Sequence, residues 1–344
     1  MPLADRWGSR QLAIFGMAIT GLGLVLAGLA QTLTEVYLAY SLGVGVGVGA
    51  SYVPAVGAVQ RWFLRRRGFA SGLAVSGIGV GTLLMPPLAS LLIAEFGWRE
   101  AYIALGAFAA VVGIGFSFLI ENNPADRSLA PDGGLPTAVK RGAHSGASIG
   151  AAVTSGRFVG LYAACLVGSF GLFAPFVHLV PYARDHGVPA SSAVCLLGMI
   201  GIGSTAGRFV LGGLADRIGR LLSVLAMFLG VALAQGIWAF ATDLWSLSAL
   251  AFIFGVFYGG LVALLPTVVM DDLGARNVSG LIGILYTSVA FGTLVGPSAA
   301  GFAFDLSHSY SLPICASMIA NVIAAILIAA TAHARVPQHE KPSQ

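Results

Sequence analysis

Charged residues are scarce in this sequence. Only 9% of its 344 residues are Asp, Glu, Lys or Arg, whereas soluble domains carry about 25%. Hydrophobic residues make up 57% of the chain, and the mean hydropathy is +0.88. A globular core cannot bury so much apolar surface, so we exclude a soluble or nucleic-acid-binding protein. We expect a chain whose solvent is the lipid bilayer.

Cysteine is also scarce, and the usual motifs of enzymes are missing. The three cysteines, Cys165, Cys195 and Cys315, lie in apolar segments without paired spacing or neighbouring histidines, so we interpret them as buried small hydrophobic residues. The sequence contains no HExxH, GxSxG or Walker motif, and no predicted span holds a pair of carboxylates. We therefore predict no enzyme activity, no metal, no cofactor and no ATP-driven transport.

Long apolar runs occupy most of the chain. A helix that crosses a bilayer needs about 20 mostly apolar residues, and ten segments meet that length. The predicted spans are 11–30, 36–58, 69–94, 101–120, 157–181, 192–213, 221–241, 245–270, 278–303 and 311–332. The predicted fold class is therefore an all-α polytopic membrane protein.

A polar segment separates the first four spans from the last six. It begins ENNP and continues rich in Gly, Ser and Pro, which is typical of a flexible linker. The predicted parts are an N-terminal helical bundle at 1–120, a linker at 121–156, a six-helix bundle at 157–332 and a polar tail at 333–344.

Positive charge is distributed unevenly between the two sides of the predicted spans. Fifteen of the 18 Lys and Arg residues fall on one side, Arg99 and Arg184 fall on the other, and Arg208 lies within a span. Lys and Arg accumulate on the cytoplasmic side of membranes. This pattern predicts a plasma-membrane protein with both termini and the linker in the cytoplasm. The run at 65–67 serves either this topology or the attraction of anionic lipid.

A six-residue motif occurs twice. The sequences LADRWG at 3–8 and LADRIG at 214–219 both fall in predicted cytoplasmic loops, and four spans follow each copy. Two spans precede the second copy within its half, but none precedes the first. If the halves are parallel repeats, two N-terminal spans are missing through truncation or a mis-assigned start. We then expect an intact fold of 6+6 spans, of which this chain has 4+6.

The two motifs resemble the loop between the second and third helices in each half of the major facilitator superfamily, where the Asp and Arg tie helix ends together and help to gate the cytoplasmic side. The resemblance implies the superfamily's fold. It also implies this gating role for Asp5, Arg6 and Gly8 in the first copy and for Asp216, Arg217 and Gly219 in the second.

Three further stretches resemble the monocarboxylate transporters and their bacterial relatives, including oxalate/formate exchangers. They are RWFLRRRGFASG at 61–72, PFVHLVPYARDHG at 175–187 and LYTSVAFGTLVGPSAAGFAFD at 285–305. This resemblance implies a carrier of small carboxylates.

Arg208 lies inside a predicted span, eight residues before Asp216, or roughly 12 Å along a helix. An arginine in the bilayer costs a few kcal/mol, so we expect it to face a wet cavity or a partner. A substrate carboxylate suits a guanidinium, which binds it through two N–H groups. The alternative is an arginine that reaches back to Asp216 or to a lipid phosphate. The resemblance favours substrate, because the matching family helix carries a substrate-binding Arg.

Four other polar side chains are candidates for the same site. Ser204 lies one turn before Arg208, where animal members commonly have an Asp implicated in proton coupling; it binds either substrate or helix backbone. Tyr258, Tyr286 and Tyr52 place hydroxyl groups within spans, where they line a cavity or pack against neighbouring helices. Tyr258 is favoured, because the matching family helix contributes a cavity aromatic.

His178 and the alternating glycines each allow two interpretations. His178 lies near the outer end of the fifth span, where it relays a proton or serves as a hydrogen-bonded structural residue. The glycines at 43, 45, 47 and 49 resemble a phosphate-binding loop, but no Lys-Ser/Thr follows and they lie within a span, so close helix packing explains them better. Glycines at 77, 79 and 81 repeat the pattern.

These observations predict a secondary transporter of small organic anions such as monocarboxylates. It would use alternating access and couple to protons or a counter-anion. The expected partners are a small carboxylate, protons or a counter-anion, and membrane lipids. The alternative is a truncated, non-transporting fragment or assembly partner of such a carrier.

Overall fold

The protein is described by a computed structural model that covers residues 7–133, 148–274 and 277–331. Within these residues, ten helices are long and apolar enough to cross a membrane. They are Ser9–Leu29 (α1), Leu33–Trp62 (α2), Arg67–Phe96 (α3), Trp98–Ser117 (α4), Gly156–Asp185 (α5), Ala190–Ile218 (α6), Arg220–Trp238 (α7), Leu244–Leu273 (α8), Val278–Ser307 (α9) and Ser311–Thr331 (α10). The predicted number of spans and the all-α fold class are confirmed.

Several helices extend past the predicted limits of their spans. The sixth was predicted to end at residue 213, whereas α6 continues to Ile218. The second was predicted over 36–58, whereas α2 covers Leu33–Trp62. Hydropathy detects only the part of a helix that lies in hydrocarbon, while backbone hydrogen bonding continues into polar surroundings.

The helices that follow the two LADRxG motifs begin in the same way. Gly8 precedes α1 with φ +83°, and Gly219 precedes α7 with φ +101°. Side chains other than glycine rarely adopt this conformation. The next helices also match, since Thr32 and Asp243 form capping boxes at the starts of α2 and α8. The internal repeat is therefore visible in local geometry.

The described residues form two compact units. The first comprises 7–64, 84–133 and 277–283, and the second comprises 65–83, 148–274 and 284–331. The start of α3 thus belongs with the second unit, and the start of α9 with the first. The predicted division at the linker stays a prediction.

The predicted linker contains short helical turns where it is described. Residues Pro124–Arg127 and Pro131–Gly133 form 3₁₀ turns, and Ile149–Val153 forms a short α-helix. Residues 134–147, like the tail from 332 onwards, lie outside the described residues.

Two cysteines also differ from expectation. Cys165 is buried, but Cys195 and Cys315 are exposed. A small apolar side chain is compatible with a position that faces lipid as well as with a buried one.

Alternate glycines of α2 pack against α1. A Cβ atom at Gly47 would overlap Thr20 Oγ1 and lie 2.6 Å from the Gly16 carbonyl oxygen, whereas one at Gly45 or Gly49 would meet open space. Gly43, four residues before Gly47, faces Gly23 of α1 with the same lack of room. The glycines recur every two residues, but a helix places residues four apart on one face. Only half of them therefore bring the two backbones together.

Glycines also join α6 to α8 in the second unit. A Cβ atom at Gly207 of α6 would overlap the carbonyl oxygen of Val256, and one at Gly259 of α8 would overlap the carbonyl oxygen of Ser204. Each helix therefore presses a glycine against the other's backbone. This contact brings the segment that carries Ser204 and Arg208 directly against α8.

α5 is interrupted in the middle of its span. Its two segments, Gly156–Leu172 and Ala174–Asp185, meet at Phe173. The second segment contains Pro175, which has no N–H to donate to the carbonyl of Gly171. The sequence analysis did not predict this break.

Side chains from two other helices hydrogen-bond at the break. Gln235 of α7 donates from Nε2 to the carbonyl oxygen of Gly171 at 2.7 Å, and Asn321 of α10 donates to Gln235 Oε1 at 3.0 Å. Both amide side chains are buried, with exposures of 1% and 0%. A buried carbonyl left unsatisfied by proline is costly, so this pair explains how the break is tolerated.

The outer end of α5 is tied to the start of α10. The Tyr310 hydroxyl donates to Asp185 Oδ2 at 3.0 Å, and its ring packs edge-on against Tyr182 with centroids 5.1 Å apart. Burial and the neighbouring Asp185 carboxylate raise the pKa of Tyr310 to about 12. The hydroxyl therefore keeps its proton, and its role as donor, at physiological pH.

The α1–α2 contact predicts that substitutions at neighbouring glycines of α2 differ in their effect on stability. We expect Gly47→Ala to destabilise the protein by about 1–3 kcal/mol, because the new methyl group has no room. Gly49→Ala should be neutral, or up to about 1 kcal/mol stabilising through helix propensity. The thermal unfolding of each variant in detergent, followed by size-exclusion chromatography, measures the difference. Equal effects at the two positions would contradict this packing.

Candidate functional site

Arg208 is fully buried in the second unit, with 0% of its surface exposed. Its guanidinium carbon lies 6.0 Å from the centroid of the Tyr258 ring on α8, a distance at which a cation is attracted to an aromatic face. The expected cavity is therefore closed to solvent around this group in the present conformation.

Gly79 of α3 provides the space that the guanidinium occupies. A Cβ atom at Gly79 would lie 3.0 Å from Arg208 Nη1 and 2.9 Å from the carbonyl oxygen of Gly201, and it would overlap Thr205 Oγ1. Cβ atoms at Gly77 and Gly81 would meet nothing within 4 Å. Among these alternating glycines, only Gly79 is required by its contacts.

Tyr258 belongs to an aromatic cluster that includes the break in α5. Its ring centroid lies 5.1 Å from that of Phe176, 6.1 Å from that of Phe173 and 6.0 Å from that of Phe254. Phe173 marks the break and Phe176 follows it by three residues. The interruption of α5 therefore places two aromatic rings against the tyrosine that contacts Arg208.

Ser204 is buried beside this group, with 2% of its surface exposed. Its hydroxyl has no hydrogen-bond partner among the residues that the structure describes. The neighbouring Thr205 shows the usual alternative, since its hydroxyl donates to the Gly201 carbonyl one turn earlier at 3.0 Å. A buried hydroxyl without a partner costs free energy, so Ser204 is a candidate for binding a polar ligand.

Three further predicted site residues lie on other helices. Tyr52 is half-buried in the first unit, and Tyr286 is half-buried in α9. His178 lies beyond the break in α5, with Nε2 3.0 Å from the carbonyl oxygen of Pro297 on α9. A carbonyl only accepts, so Nε2 donates in this contact. The roles of these three residues stay predictions.

The second LADRxG motif connects several helix ends. Asp216 accepts hydrogen bonds from the backbone N–H groups of Gly68 at 2.9 Å and Phe69 at 3.1 Å, which are at the start of α3. It also pairs with Arg220 at 2.9 Å. A carboxylate at a helix N-terminus satisfies open N–H groups and complements the helix dipole. Asp216 therefore holds together the ends of α3, α6 and α7.

Five ion-paired residues in this region were not predicted from the sequence. Asp271, at the end of α8, pairs with both Arg67 and Arg220. The adjacent Asp272 pairs with Arg157 of α5 at 3.2 Å. Asp271 and Asp272 end an otherwise apolar helix, and this pair of acidic residues is the available sequence signal for ion pairs at that helix end. Arg217, the predicted partner in the motif, is instead exposed.

The first copy of the motif is only partly described, since Asp5 and Arg6 lie outside the described residues. Arg10, just after it, pairs with Glu121 at 2.9 Å, and Arg127 pairs with the same carboxylate at 2.6 Å. The hydrogen bond from Arg127 is the main reason that the pKa of Glu121 lies below its usual range. The start of α1 is thus held to the segment after α4.

Comparison with known proteins identifies the family. A profile of the Major Facilitator Superfamily matches residues 1–279 and 165–344, which together cover the chain. Monocarboxylate transporter 11 from Homo sapiens is 31% identical over 325 residues, or 90% of this chain and 66% of that protein. The Mus musculus protein of the same name is also 31% identical, over 92% of this chain and 71% of its own length.

More distant similarities agree with this assignment. Monocarboxylate transporter 12-B from Danio rerio is 28% identical over 98% of this chain and 76% of its own length. The crystal structure of the E. coli fucose:proton symporter, FucP, matches with a TM-score of 0.69 and 16% identity, covering 96% of this chain and 85% of that one. The match to FucP shows a shared fold. The chain belongs to the Major Facilitator Superfamily, and within it to the relatives of the monocarboxylate transporters.

Proposed function

We propose that this protein is a secondary active transporter of small organic anions, with monocarboxylates as the first substrate class, in the plasma membrane. The observation that carries the proposal is the buried Arg208, which lies within a membrane helix next to Tyr258 and Ser204. Relatives named monocarboxylate transporters support the substrate class.

An anionic substrate suits the chemistry of this cluster. A buried guanidinium is stabilised by negative charge, and a carboxylate meets its planar N–H groups with matching geometry. The Ser204 hydroxyl adds a donor one turn away, and the aromatic rings around Tyr258 offer an apolar surface for a short carbon chain. The cluster therefore favours a small molecule with a carboxylate at one end and an apolar body.

Alternating access gives a role to the charged helix ends. In the described conformation Asp216 caps α3, and Asp271 binds Arg67 and Arg220. Opening this end of the second unit requires these bonds to break. We propose that they close the cytoplasmic side in one state of the cycle and release it in the other, as a gate requires.

Coupling follows from the charge of the substrate. A carboxylate that enters alone moves negative charge against an inside-negative membrane potential, at about 2.3 kcal/mol per 100 mV. Carriage with a proton removes that cost, and exchange for another anion removes it equally. In proton symport, the proton binds His178 or arrives on the acid itself. Ser204 cannot titrate in this range, so it is not the proton carrier.

The central prediction concerns Arg208. We expect Arg208→Gln to lower carboxylate uptake by about 100-fold through the loss of two charge-assisted hydrogen bonds. Uptake by Arg208→Lys should fall between that of this variant and that of the wild type, because lysine keeps the positive charge but lacks the planar N–H groups of the guanidinium. Uptake of labelled carboxylates into proteoliposomes measures both effects. The matched control is Arg184→Gln, at an exposed arginine, with equal protein per vesicle verified by immunoblot.

The outcomes of this experiment separate the alternatives. Wild-type uptake by Arg208→Gln would refute the assignment of the site. A wild-type protein that is folded and reconstituted but takes up no carboxylate would instead favour a non-transporting fragment or an assembly partner.

A second prediction tests the position of the guanidinium without changing it. Gly79→Ala should lower uptake by about tenfold or more, since the methyl group has no room beside Arg208 and the Gly201 carbonyl. Gly77→Ala and Gly81→Ala add the same methyl group to open positions of the same helix and should leave uptake near the wild-type level. Similar losses in all three variants would show that α3 tolerates no added side chain, and would remove the support for a site at Arg208.

A third prediction addresses coupling. An inward proton gradient imposed on proteoliposomes should drive accumulation of the labelled carboxylate, and collapse of the gradient with an ionophore should abolish it. His178→Gln should weaken the response if the proton binds this side chain. Counterflow that persists while the gradient has no effect would instead assign anion exchange.

A further inference from the structure

A groove with basic and apolar walls lies in the second unit, apart from the Arg208 cluster. Its volume is about 680 Å³. Three arginines and three apolar side chains form its walls, and we call it the basic groove. They are Arg65, Arg66 and Arg217, with Phe69, Val210 and Leu214. The start of α3 with the two arginines that precede it, and the end of α6, thus each contribute basic and apolar groups.

The arginines that line the groove differ in exposure from the neighbouring Arg67. Arg67 is only 5% exposed and binds Asp271, so it does not take part in the groove. Arg65, Arg66 and Arg217 are all exposed. Asp216 borders the groove, but its carboxylate is engaged by the start of α3 and by Arg220. The groove therefore presents a positive surface to a ligand.

The apolar wall indicates the kind of ligand. Phe69, Val210 and Leu214 expose 40%, 64% and 42% of their surfaces. All three lie near the ends of membrane helices, because α3 begins at Arg67 and α6 ends at Ile218. The basic wall is at the ends of these helices and the apolar wall is one to two turns further in. This order matches the headgroup and the upper acyl chain of a phospholipid.

We infer that the basic groove binds an anionic phospholipid. Its phosphodiester and any further headgroup charge would lie against Arg65, Arg66 and Arg217, and its first acyl carbons against Phe69, Val210 and Leu214. A free phosphate or nucleotide would use the arginines but leave the apolar wall exposed. The inference does not depend on the proposed substrate, since none of these residues lies in the Arg208 cluster.

Lipid binding to the purified full chain tests this inference. The delipidated protein in detergent is titrated with phosphatidylglycerol, phosphatidylcholine or soluble glycerol 3-phosphate, and bound ligand is counted by native mass spectrometry. We expect phosphatidylglycerol to bind at least tenfold more tightly than the other two. Its affinity should fall as salt is added, because the attraction is partly electrostatic.

Two variants assign the binding to the groove. The triple variant Arg65→Gln, Arg66→Gln, Arg217→Gln should lower the affinity for phosphatidylglycerol by about 100-fold. Gly213→Trp should lower it without any change of charge, because this residue borders the groove and has room for a side chain. The control is Arg184→Gln, which should bind like the wild type. Thermal unfolding of each variant shows whether the fold is retained.

Several results would overturn the inference. Equal binding of phosphatidylcholine would show that charge plays no part, and equal binding of glycerol 3-phosphate would identify a phosphate site without lipid specificity. Undiminished phosphatidylglycerol binding by folded Gly213→Trp would place the lipid elsewhere. If the triple variant does not fold, the ligand comparison on the wild type and the tryptophan variant still decide the question.

Discussion

Close contact between helix backbones determines where charge is buried in this protein. Gly207 and Gly259 let α6 and α8 approach until each backbone touches the other, and Gly79 lets α3 approach the same segment. The side chains near these contacts have little freedom to move. Arg208 is therefore held against Tyr258 by the packing of glycines that carry no chemistry of their own. In a bilayer, where lipid tails compete equally for apolar side chains, such contacts are a main source of helix association.

The polar groups of the second unit are arranged in layers along its helices. At one end, Asp216 and Asp271 join helix ends through ion pairs. At mid-span, Arg208 lies among aromatic rings, and Gln235 binds the carbonyl exposed at the break in α5. The ion pairs and the Gln235 hydrogen bond satisfy polar groups that lipid could not satisfy. The break is linked to both kinds of contact at mid-span. Its free carbonyl accepts a hydrogen bond from Gln235, and the aromatic residues at the break pack against Tyr258.

The sequence predicts the elements of this fold better than their contacts. Apolar length identified all ten helices, and the LADRIG motif identified Asp216 as a residue that joins helix ends. Its partners in α3 lie almost 150 positions earlier, and Asp271 lies 55 positions later. No local pattern links such positions. The break in α5 was also missed, because Pro175 stands in an apolar run and its effect depends on Gln235. Likewise, Gly47 and Gly49 look alike in sequence and differ only in what faces them.

The break in α5 has a mechanical consequence. Beyond Phe173 the outer segment, Ala174–Asp185, is not continued by the helical hydrogen-bond ladder of the inner one. Two side-chain bonds hold it to neighbouring parts of the chain, one from His178 to the Pro297 carbonyl oxygen on α9 and one to Asp185 from the Tyr310 hydroxyl just before α10. Each such bond contributes about 0.5–3 kcal/mol net, so a tilt of this segment is a thermally accessible pivot rather than a local unfolding event. Because burial and Asp185 raise the pKa of Tyr310 to about 12, its hydroxyl keeps the proton that it donates to Asp185 at neutral pH.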